Sequence, residues 1–413
     1  MGGAKRLPRR KEERILCMKR TALIALIMVL VLGLLIGCTP KPETPPTDGS
    51  DPVKTDGPVV TDPTPVELEK VRIGALPYFD YTLLIAAKGV GLDREMGLDF
   101  EIIPFPLENV AVQALINGSI DIAQGAIASF YPVWPNAPEL RVFLNNDQTM
   151  GFTIVARADS GIKTFAEFYE ELDGDYEAAR TAALAQMKGK SMATLESVYL
   201  GTINGALAAG GLVAGDLEIM NFANDGQANA AFQSGECDLY MGGMNNTLLL
   251  LEQSDKYVSL AMGDQMGIGG FWLSGSGTTE KYLEEKRDTV MKVLAVHYRA
   301  AELLKKEPEN FVPYQLEYLK EHASSDLTLE QGIWAMQEMV DFQTLDQSLA
   351  TIYNTESPIY WKHYADYYLD QNYSSGAIPE GSIDLAKVVV QESLFFEFLQ
   401  HEDLVDYVRN GLK

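Results

Sequence analysis

Aromatic, carboxylate and amide side chains gather in seven segments that we predict to be loops, and none of these segments contains lysine or arginine. Aromatic rings stack on planar groups and attract cations, a carboxylate accepts hydrogen bonds from amines, and an amide both donates and accepts. One carboxylate, Asp80, and two amides, Asn245 and Asn246, among many rings favour a planar, neutral or cationic heterocycle as the ligand. The predicted loops are Pro77–Thr82, Pro106–Asn109, Gly125–Pro132, Leu195–Val198, Ala223–Gly226, Gly242–Thr247 and Asp264–Ser274.

The candidate binding residues come from these loops, and each also has a plainer structural interpretation. An aromatic side chain at such a position can equally belong to the core, and Asp80 can serve as the acid at a helix N-terminus before Thr82. A bound anion would have to depend on helix N-terminal amides, for instance around Ser197. The predicted site residues are Tyr78, Phe79, Asp80, Tyr81, Ser129, Phe130, Tyr131, Ser197, Asn245, Asn246 and Trp272.

Groups for covalent catalysis or metal binding are missing from the same segments. We consider tyrosines and Asp80 as the candidate bases in these segments, and Cys237 is expected to be a small buried core residue. The four histidines all lie in the C-terminal part of the chain without metal-binding spacing, and they are His297, His322, His363 and His401. We therefore expect no enzyme, no cofactor and no metal, with a surface hydrolase or single-turnover enzyme as the alternative from another class.

Two segments repeat one pattern and indicate how the loops are positioned. Ala114–Gly125 and Ala231–Gly242 both read Ala-x-x-x-Gly-x-x-Asp-x-x-x-Gly. The pattern predicts the end of a helix, a tight turn at glycine and a short buried strand. A unit used twice predicts two similar α/β lobes, and ligands of open α/β sheets lie beyond the carboxyl ends of the strands. The residues after each repeat are therefore predicted to line a pocket between the lobes.

Five short stretches resemble the substrate-binding proteins of ABC importers, in the group for aliphatic sulfonates, taurine, nitrate and thiamine-precursor pyrimidines. They are Lys88-Gly89, Gly97-Leu98-Asp99, Ala114 to Asp121, Ser160 to Lys163 and Lys188-Gly189-Lys190. The resemblance implies a two-lobed type II periplasmic-binding-protein fold, each lobe a mostly parallel sheet flanked by helices, and an ABC permease with its ATPase as partners. The insertion Asp173 to Ala185 and the helical C-terminal extension depart from the family pattern.

The chain divides into an export segment, a tether and two lobes. Residues 1–38 are predicted to be a signal peptide, and Leu35-Ile36-Gly37-Cys38 resembles the bacterial lipobox, in which Cys38 is lipidated. Residues 39–69 are rich in proline, threonine and aspartate, which predicts a disordered tether. Residues 70–155 and 266–413 are predicted to form lobe I, and residues 156–265 lobe II. In the C-terminal part Tyr360, Tyr364, Tyr367 and Tyr368 recur at helical spacing, as core or as the lining of a groove.

These features predict a lipid-anchored receptor on the extracytoplasmic face of the cell membrane. The favoured ligand is an aminopyrimidine or similar heterocycle, and the alternative is an aliphatic sulfonate, taurine or a nitrate-type anion. A protein-binding scaffold is a further alternative. The formal net charge of −25 disfavours nucleic acid as a partner, and we expect a monomer.

Overall fold

The computed structural model describes residues 67–323 and 325–412. The predicted signal peptide with Cys38, and the predicted tether up to residue 66, lie outside the described residues. Two β-sheets flanked by helices make up this part of the chain. The strands are β1 (Glu69–Ala75), β2 (Leu98–Pro104), β3 (Ile122–Ala126), β4 (Leu140–Thr149), β5 (Thr153–Arg157), β6 (Ser191–Thr194), β7 (Glu218–Asn221), β8 (Leu239–Tyr240), β9 (Tyr257–Met262), β10 (Trp272–Thr279) and β11 (Val340–Asp341).

Sheet one has the strand order β11-β4-β10-β3-β1-β2, and sheet two has the order β7-β6-β8-β5-β9. Parallel pairs join β1 to β2 and β3, and join β6 to β7 and β8. The predicted pair of α/β sheets flanked by helices is confirmed. Most strands of each sheet run in one direction, whereas β10 and β11 in sheet one and β5 in sheet two run the opposite way and pair antiparallel with their neighbours.

Seventeen helices are found among the described residues. Eight precede the last long strand: α1 (Leu83–Val90), α2 (Leu92–Glu95), α3 (Glu108–Ile116), α4 (Phe165–Glu171), α5 (Tyr176–Ala185), α6 (Glu196–Ala209), α7 (Asp225–Ser234) and α8 (Met244–Leu251). The predicted helical C-terminal part contains α9 (Glu280–Glu285), α10 (Arg287–Lys306), α11 (Pro308–Ala323), α12 (Leu329–Glu338), α13 (Leu345–Ala350), α14 (Trp361–Ser374), α15 (Leu385–Val388), α16 (Gln391–Phe398) and α17 (Glu402–Asn410). In the described part of the chain, no helix combines the length and the apolar character that crossing a bilayer requires.

The repeated sequence unit builds the same local structure in both sheets. Gly118 and Gly235 have φ of 76° and 85°, a left-handed conformation that glycine adopts without steric cost. The carboxylate of Asp121 accepts the backbone N–H of Arg72 at 2.8 Å. The carboxylate of Asp238 accepts the backbone N–H of Ser191 at 3.0 Å. Each aspartate therefore ties the start of its strand to the neighbouring parallel strand, which explains why the pattern needs this residue in both copies.

Helix α14 of the C-terminal part contacts elements of both sheets. The Tyr131 hydroxyl, which follows β3 of sheet one, donates to the Ala365 carbonyl at 3.1 Å. The Tyr367 hydroxyl donates to the Gly201 carbonyl of α6 at 2.8 Å. An added Cβ at Gly205 would lie 2.8 Å from the Cα of Gly269, so α6 approaches its neighbours too closely for a larger residue. The hydrogen bond of Tyr367 shows that the α14 tyrosines pack directly against α6.

Candidate functional site

The candidate site lies where the carboxyl ends of β1 and β3 are followed by short 3-10 turns, Phe79–Tyr81 and Ile127–Phe130. The two strands are parallel neighbours in sheet one, so the turns that follow them emerge at the same edge. Helix α3 begins at Glu108, close to this edge. The edge is the place at which ligands of open α/β sheets bind.

The Glu108 carboxylate is the meeting point of hydrogen bonds from both turns. Its Oε1 accepts the hydroxyl of Tyr81 at 2.5 Å and the backbone N–H of Ala126 at 3.1 Å. Its Oε2 accepts the hydroxyl of Ser129. Burial raises the pKa of Glu108 from 4.5 to about 7, against the lowering effect of the Tyr81 and Ala126 hydrogen bonds. At neutral pH the carboxylate is therefore close to its midpoint of protonation.

Two further carboxylates, Asp80 and Asp147, lie behind Glu108. The Ser274 hydroxyl of β10 donates to Asp80 at 2.6 Å. Asp147 of β4 has no exposed surface and accepts the Thr149 hydroxyl at 2.8 Å. Burial raises the pKa of Asp80 to about 6 and raises that of Asp147 well above its usual range, where the charge of Asp80 adds to the effect. The carboxyl groups of Asp80, Glu108 and Asp147 therefore all bind a proton more tightly than an exposed carboxyl group does.

Sheet two contributes a carboxylate at the start of α7. Asp225 accepts the hydroxyl of Tyr240 at 2.7 Å and the side-chain amide of Asn246 at 2.5 Å. The pKa of Tyr199 on α6 is raised well above 10 by burial, and the charges of Asp225, Asp80 and Glu108 raise it further. Carboxylates of both sheets therefore act on the same tyrosine. Within the described residues, no lysine or arginine pairs with Asp80, Glu108 or Asp225.

Aromatic rings connect the two chain crossings. Phe152, between β4 and β5, packs edge-to-face against Tyr199 at 5.5 Å and against Trp272 at 5.6 Å between ring centroids. Trp272, the first residue of β10, also packs against Tyr368 of α14 at 5.6 Å. Tyr78 is 40% exposed and packs against Tyr81 at 6.4 Å. Burial, with the charges of Glu108, Asp80 and Asp225, raises the pKa of Tyr78 to about 12.

The predicted site residues fall into different environments. Tyr78, Asp80, Tyr81 and Ser129 lie together around Glu108, as described above. Phe79 and Phe130 are at most 1% exposed and belong to the hydrophobic core. Tyr131 is also buried, where it bonds to α14.

The remaining predicted residues lie on or next to sheet two. Asn246 bonds to Asp225, whereas Asn245 is half-buried at the start of α8. Ser197 lies in the first turn of α6. Trp272 belongs to the ring cluster at the second crossing. Cys237, predicted to be buried, is a buried free cysteine.

The sequence interpretation missed Glu108, Asp225, Phe152 and Tyr199. Glu108 and Asp225 stand inside two of the predicted loops, which should have raised the number of carboxylates above one. Phe152 and Tyr199 stand at the margins of the predicted elements, where no local pattern distinguishes them from core residues. Among the described residues, no group of three or more histidine, cysteine, aspartate or glutamate side chains is arranged to hold a metal ion.

Comparison with known proteins identifies the fold to which this site belongs. Residues 64–244 match the model of the NMT1-like family. The periplasmic aliphatic sulphonate binding protein SsuA from Escherichia coli aligns with a TM-score of 0.57 and 18% identity, over 77% of this chain and 91% of that protein. The periplasmic nitrate-binding protein NrtA from Synechocystis PCC 6803 aligns with a TM-score of 0.56 and 15% identity, over 82% and 91%.

The chain has the fold of the periplasmic substrate-binding proteins. The fold that the predicted resemblance to the substrate-binding proteins of ABC importers implies is thereby confirmed. The alkanesulfonate-binding protein SsuA from Xanthomonas axonopodis pv. citri, solved with MOPS bound, aligns with a TM-score of 0.54 and 18% identity, over 78% of this chain and 98% of that protein. No curated protein sequence matches the chain. The three solved proteins are binding proteins by name, and none of the names describes an enzyme.

Proposed function

We propose that the chain is a lipid-anchored, extracytoplasmic solute-binding receptor of an ABC importer, without enzymatic activity. In this proposal residues 70–155 and 266–413 form one lobe and residues 156–265 the other, and the lobes close on a small organic ligand. The fold and the NMT1-like family match support the receptor role. Two chain crossings between the sheets, at 150–152 and 263–271, provide a hinge of the kind that such closure uses.

The favoured ligand is an aminopyrimidine or a similar heterocycle. The observation that carries this choice is the set of carboxylates without a basic partner, Asp80 and Glu108 on one sheet and Asp225 on the other. An exocyclic amine or a protonated ring nitrogen would donate to these oxygens, and the exposed ring of Tyr78 offers a face for stacking. The ligand would thus supply the positive or hydrogen-bond-donating groups that the protein does not.

A sulfonate or nitrate-type anion is the second candidate. It is favoured by the names of two solved proteins with the same fold, which describe binding of aliphatic sulphonate and of nitrate. In this chain the anion would rely on backbone amides at the start of α6, where Ser197 lies. The negative charge of the carboxylates described above would disfavour binding of such an anion.

Replacing Asp225 separates the two candidates. We expect Asp225→Asn to weaken binding of an aminopyrimidine by about tenfold or more, because a hydrogen bond to a charged group contributes roughly 1.5–3 kcal/mol. The same change should leave unaltered or improve the affinity for ethanesulfonate. Isothermal titration calorimetry measures both affinities. The matched control is Asp255→Asn, since Asp255 is an exposed aspartate of the same lobe. Tight ethanesulfonate binding by the unaltered protein, without aminopyrimidine binding, would reject the favoured ligand.

A further inference from the structure

Glu108 occupies the position at which sheet one could hold an anion. Three donors from three different segments converge on its carboxylate: the hydroxyl of Tyr81 after β1, the backbone N–H of Ala126 at the end of β3, and the hydroxyl of Ser129 in the following turn. Donors of this kind, at the carboxyl ends of adjacent parallel strands, are what an anionic ligand of an α/β sheet requires. Here the Glu108 carboxylate already accepts the hydrogen bonds of these donors.

The surroundings of Glu108 contain no charge that would offset a second anion. Asp80 lies close enough for its charge to raise the pKa of Glu108, and among the described residues no lysine or arginine pairs with either carboxylate. An anion that approached this edge would find the three donors engaged by Glu108, and above about pH 7 it would also meet the negative charge of this carboxylate. A ligand with an N–H group would instead meet a carboxylate that is held in place by three hydrogen bonds, and Glu108 remains partly accessible to solvent.

We infer that Glu108 is a specificity-determining residue: its carboxyl group occupies the donors that a small oxyanion would need at sheet one, and its carboxylate form accepts the N–H group of a cationic or neutral ligand. This inference rests on the proposed function in one respect, since it assigns the ligand class of the same site. Glu108 also stands in the first turn of α3, where an acid stabilises any helix through the helix dipole. A purely structural role of this kind predicts no change in what the protein binds.

Removing the carboxylate distinguishes these two roles. Glu108→Ala leaves the three donors facing a space of the size of a carboxylate group, so the variant should bind formate or nitrate. We expect its affinity for formate, measured by isothermal titration calorimetry on the mature chain, to be at least about tenfold higher than that of the unaltered protein. The matched control is Glu330→Ala, because Glu330 is an exposed glutamate in the first turn of α12 and should not gain formate binding.

The remaining outcomes also decide the question. Formate affinity that stays equal in Glu108→Ala and the unaltered protein overturns the inference, as does tight nitrate binding by the unaltered protein. If Glu108→Ala does not fold, Glu108→Ser gives the same readout, since serine is well tolerated at the start of a helix. If neither variant folds, the role is structural and the inference is overturned. Failure of the unaltered protein to bind aminopyrimidines counts against the proposed function alone, because the formate readout does not depend on the natural ligand.

Discussion

Replacing Glu108 with glutamine is expected to stabilise the protein against unfolding at high pH and to have no such effect at low pH. Burial raises the pKa of this carboxyl from 4.5 to about 7 in the folded protein. The folded state therefore holds the proton more tightly than the unfolded chain. The contribution of such a group to stability is complete below pH 4.5 and is lost as the pH rises to about 7. Glutamine keeps the shape of the side chain without this loss.

The size of the effect follows from the two pKa values. The difference between 4.5 and about 7 corresponds to roughly 3 kcal/mol, at about 1.4 kcal/mol for each tenfold change in proton affinity. We expect about 1–2 kcal/mol in practice, because Glu108 keeps some contact with solvent and glutamine accepts weaker hydrogen bonds from Tyr81 and Ala126. The free energy of unfolding of Glu108→Gln should therefore exceed that of the unaltered protein at pH 8 by this amount.

Urea denaturation followed by circular dichroism at pH 4.5 and pH 8 measures the difference directly. Comparison of the two proteins at each pH removes the contribution of titratable groups that lie far from Glu108, whereas the interaction of Glu108 with Asp80 is part of the measured difference. Glu330→Gln is the control, since this exposed glutamate stands in the first turn of α12 and its replacement should not stabilise the protein at pH 8. A stability difference between Glu108→Gln and the unaltered protein that does not change with pH, or that is larger at pH 4.5, would refute the reasoning.

Two further predictions concern the close packing of α6 and the membrane anchor. Gly205→Val should lower the free energy of unfolding by about 1–3 kcal/mol, because its Cβ would lie 2.8 Å from the Cα of Gly269. In the same denaturation assay the control Gly215→Ala should have little effect, because its Cβ meets no atom within 4 Å. Equal stability of the two variants would contradict the packing argument. Cys38→Ser should release the protein from the membrane fraction on immunoblots, whereas Cys17→Ser should not; retention of the Cys38→Ser protein in membranes would exclude the lipid anchor.

The duplicated unit was the part of the fold that the sequence predicted best. Its glycine is required by a left-handed turn, and its aspartate by a hydrogen bond to the neighbouring parallel strand, and such local needs leave a fixed spacing in the chain. The mixed character of the sheets left no comparable pattern. Whether β5 and β10 run parallel or antiparallel to their neighbours depends on where the chain crosses between sheets, and that is a long-range property.

The rings and Asp80 of the candidate site were chosen by residue type. Phe79 and Phe130 are buried whereas Tyr78 is 40% exposed, and short sequence patterns do not encode this difference in burial. Glu108 is important because three donors bond to it and, within the described part of the chain, no basic side chain pairs with it. These donors are up to 27 residues away in sequence. The hydrogen bonds of these donors to Glu108 form only when the strands assemble into the sheet, so no short sequence pattern reveals them.

The C-terminal tyrosines illustrate a question that the sequence left open between core and groove lining. Tyr364 and Tyr368 are 2% and 5% exposed, so they are core residues. Tyr368 also bonds to Thr202 of α6 at 3.1 Å. Helical spacing predicted a shared face for these rings, but it could not identify α6 as the element on which they pack.

The measurement that tests the central claim most directly is a competition titration of the mature protein with an aminopyrimidine and ethanesulfonate. Carboxylates of both sheets have no basic partner among the residues that the structure describes, so the aminopyrimidine should bind in a 1:1 complex and ethanesulfonate should not displace it. Saturable binding of ethanesulfonate that displaces the aminopyrimidine, or that occurs in its place, would contradict the account.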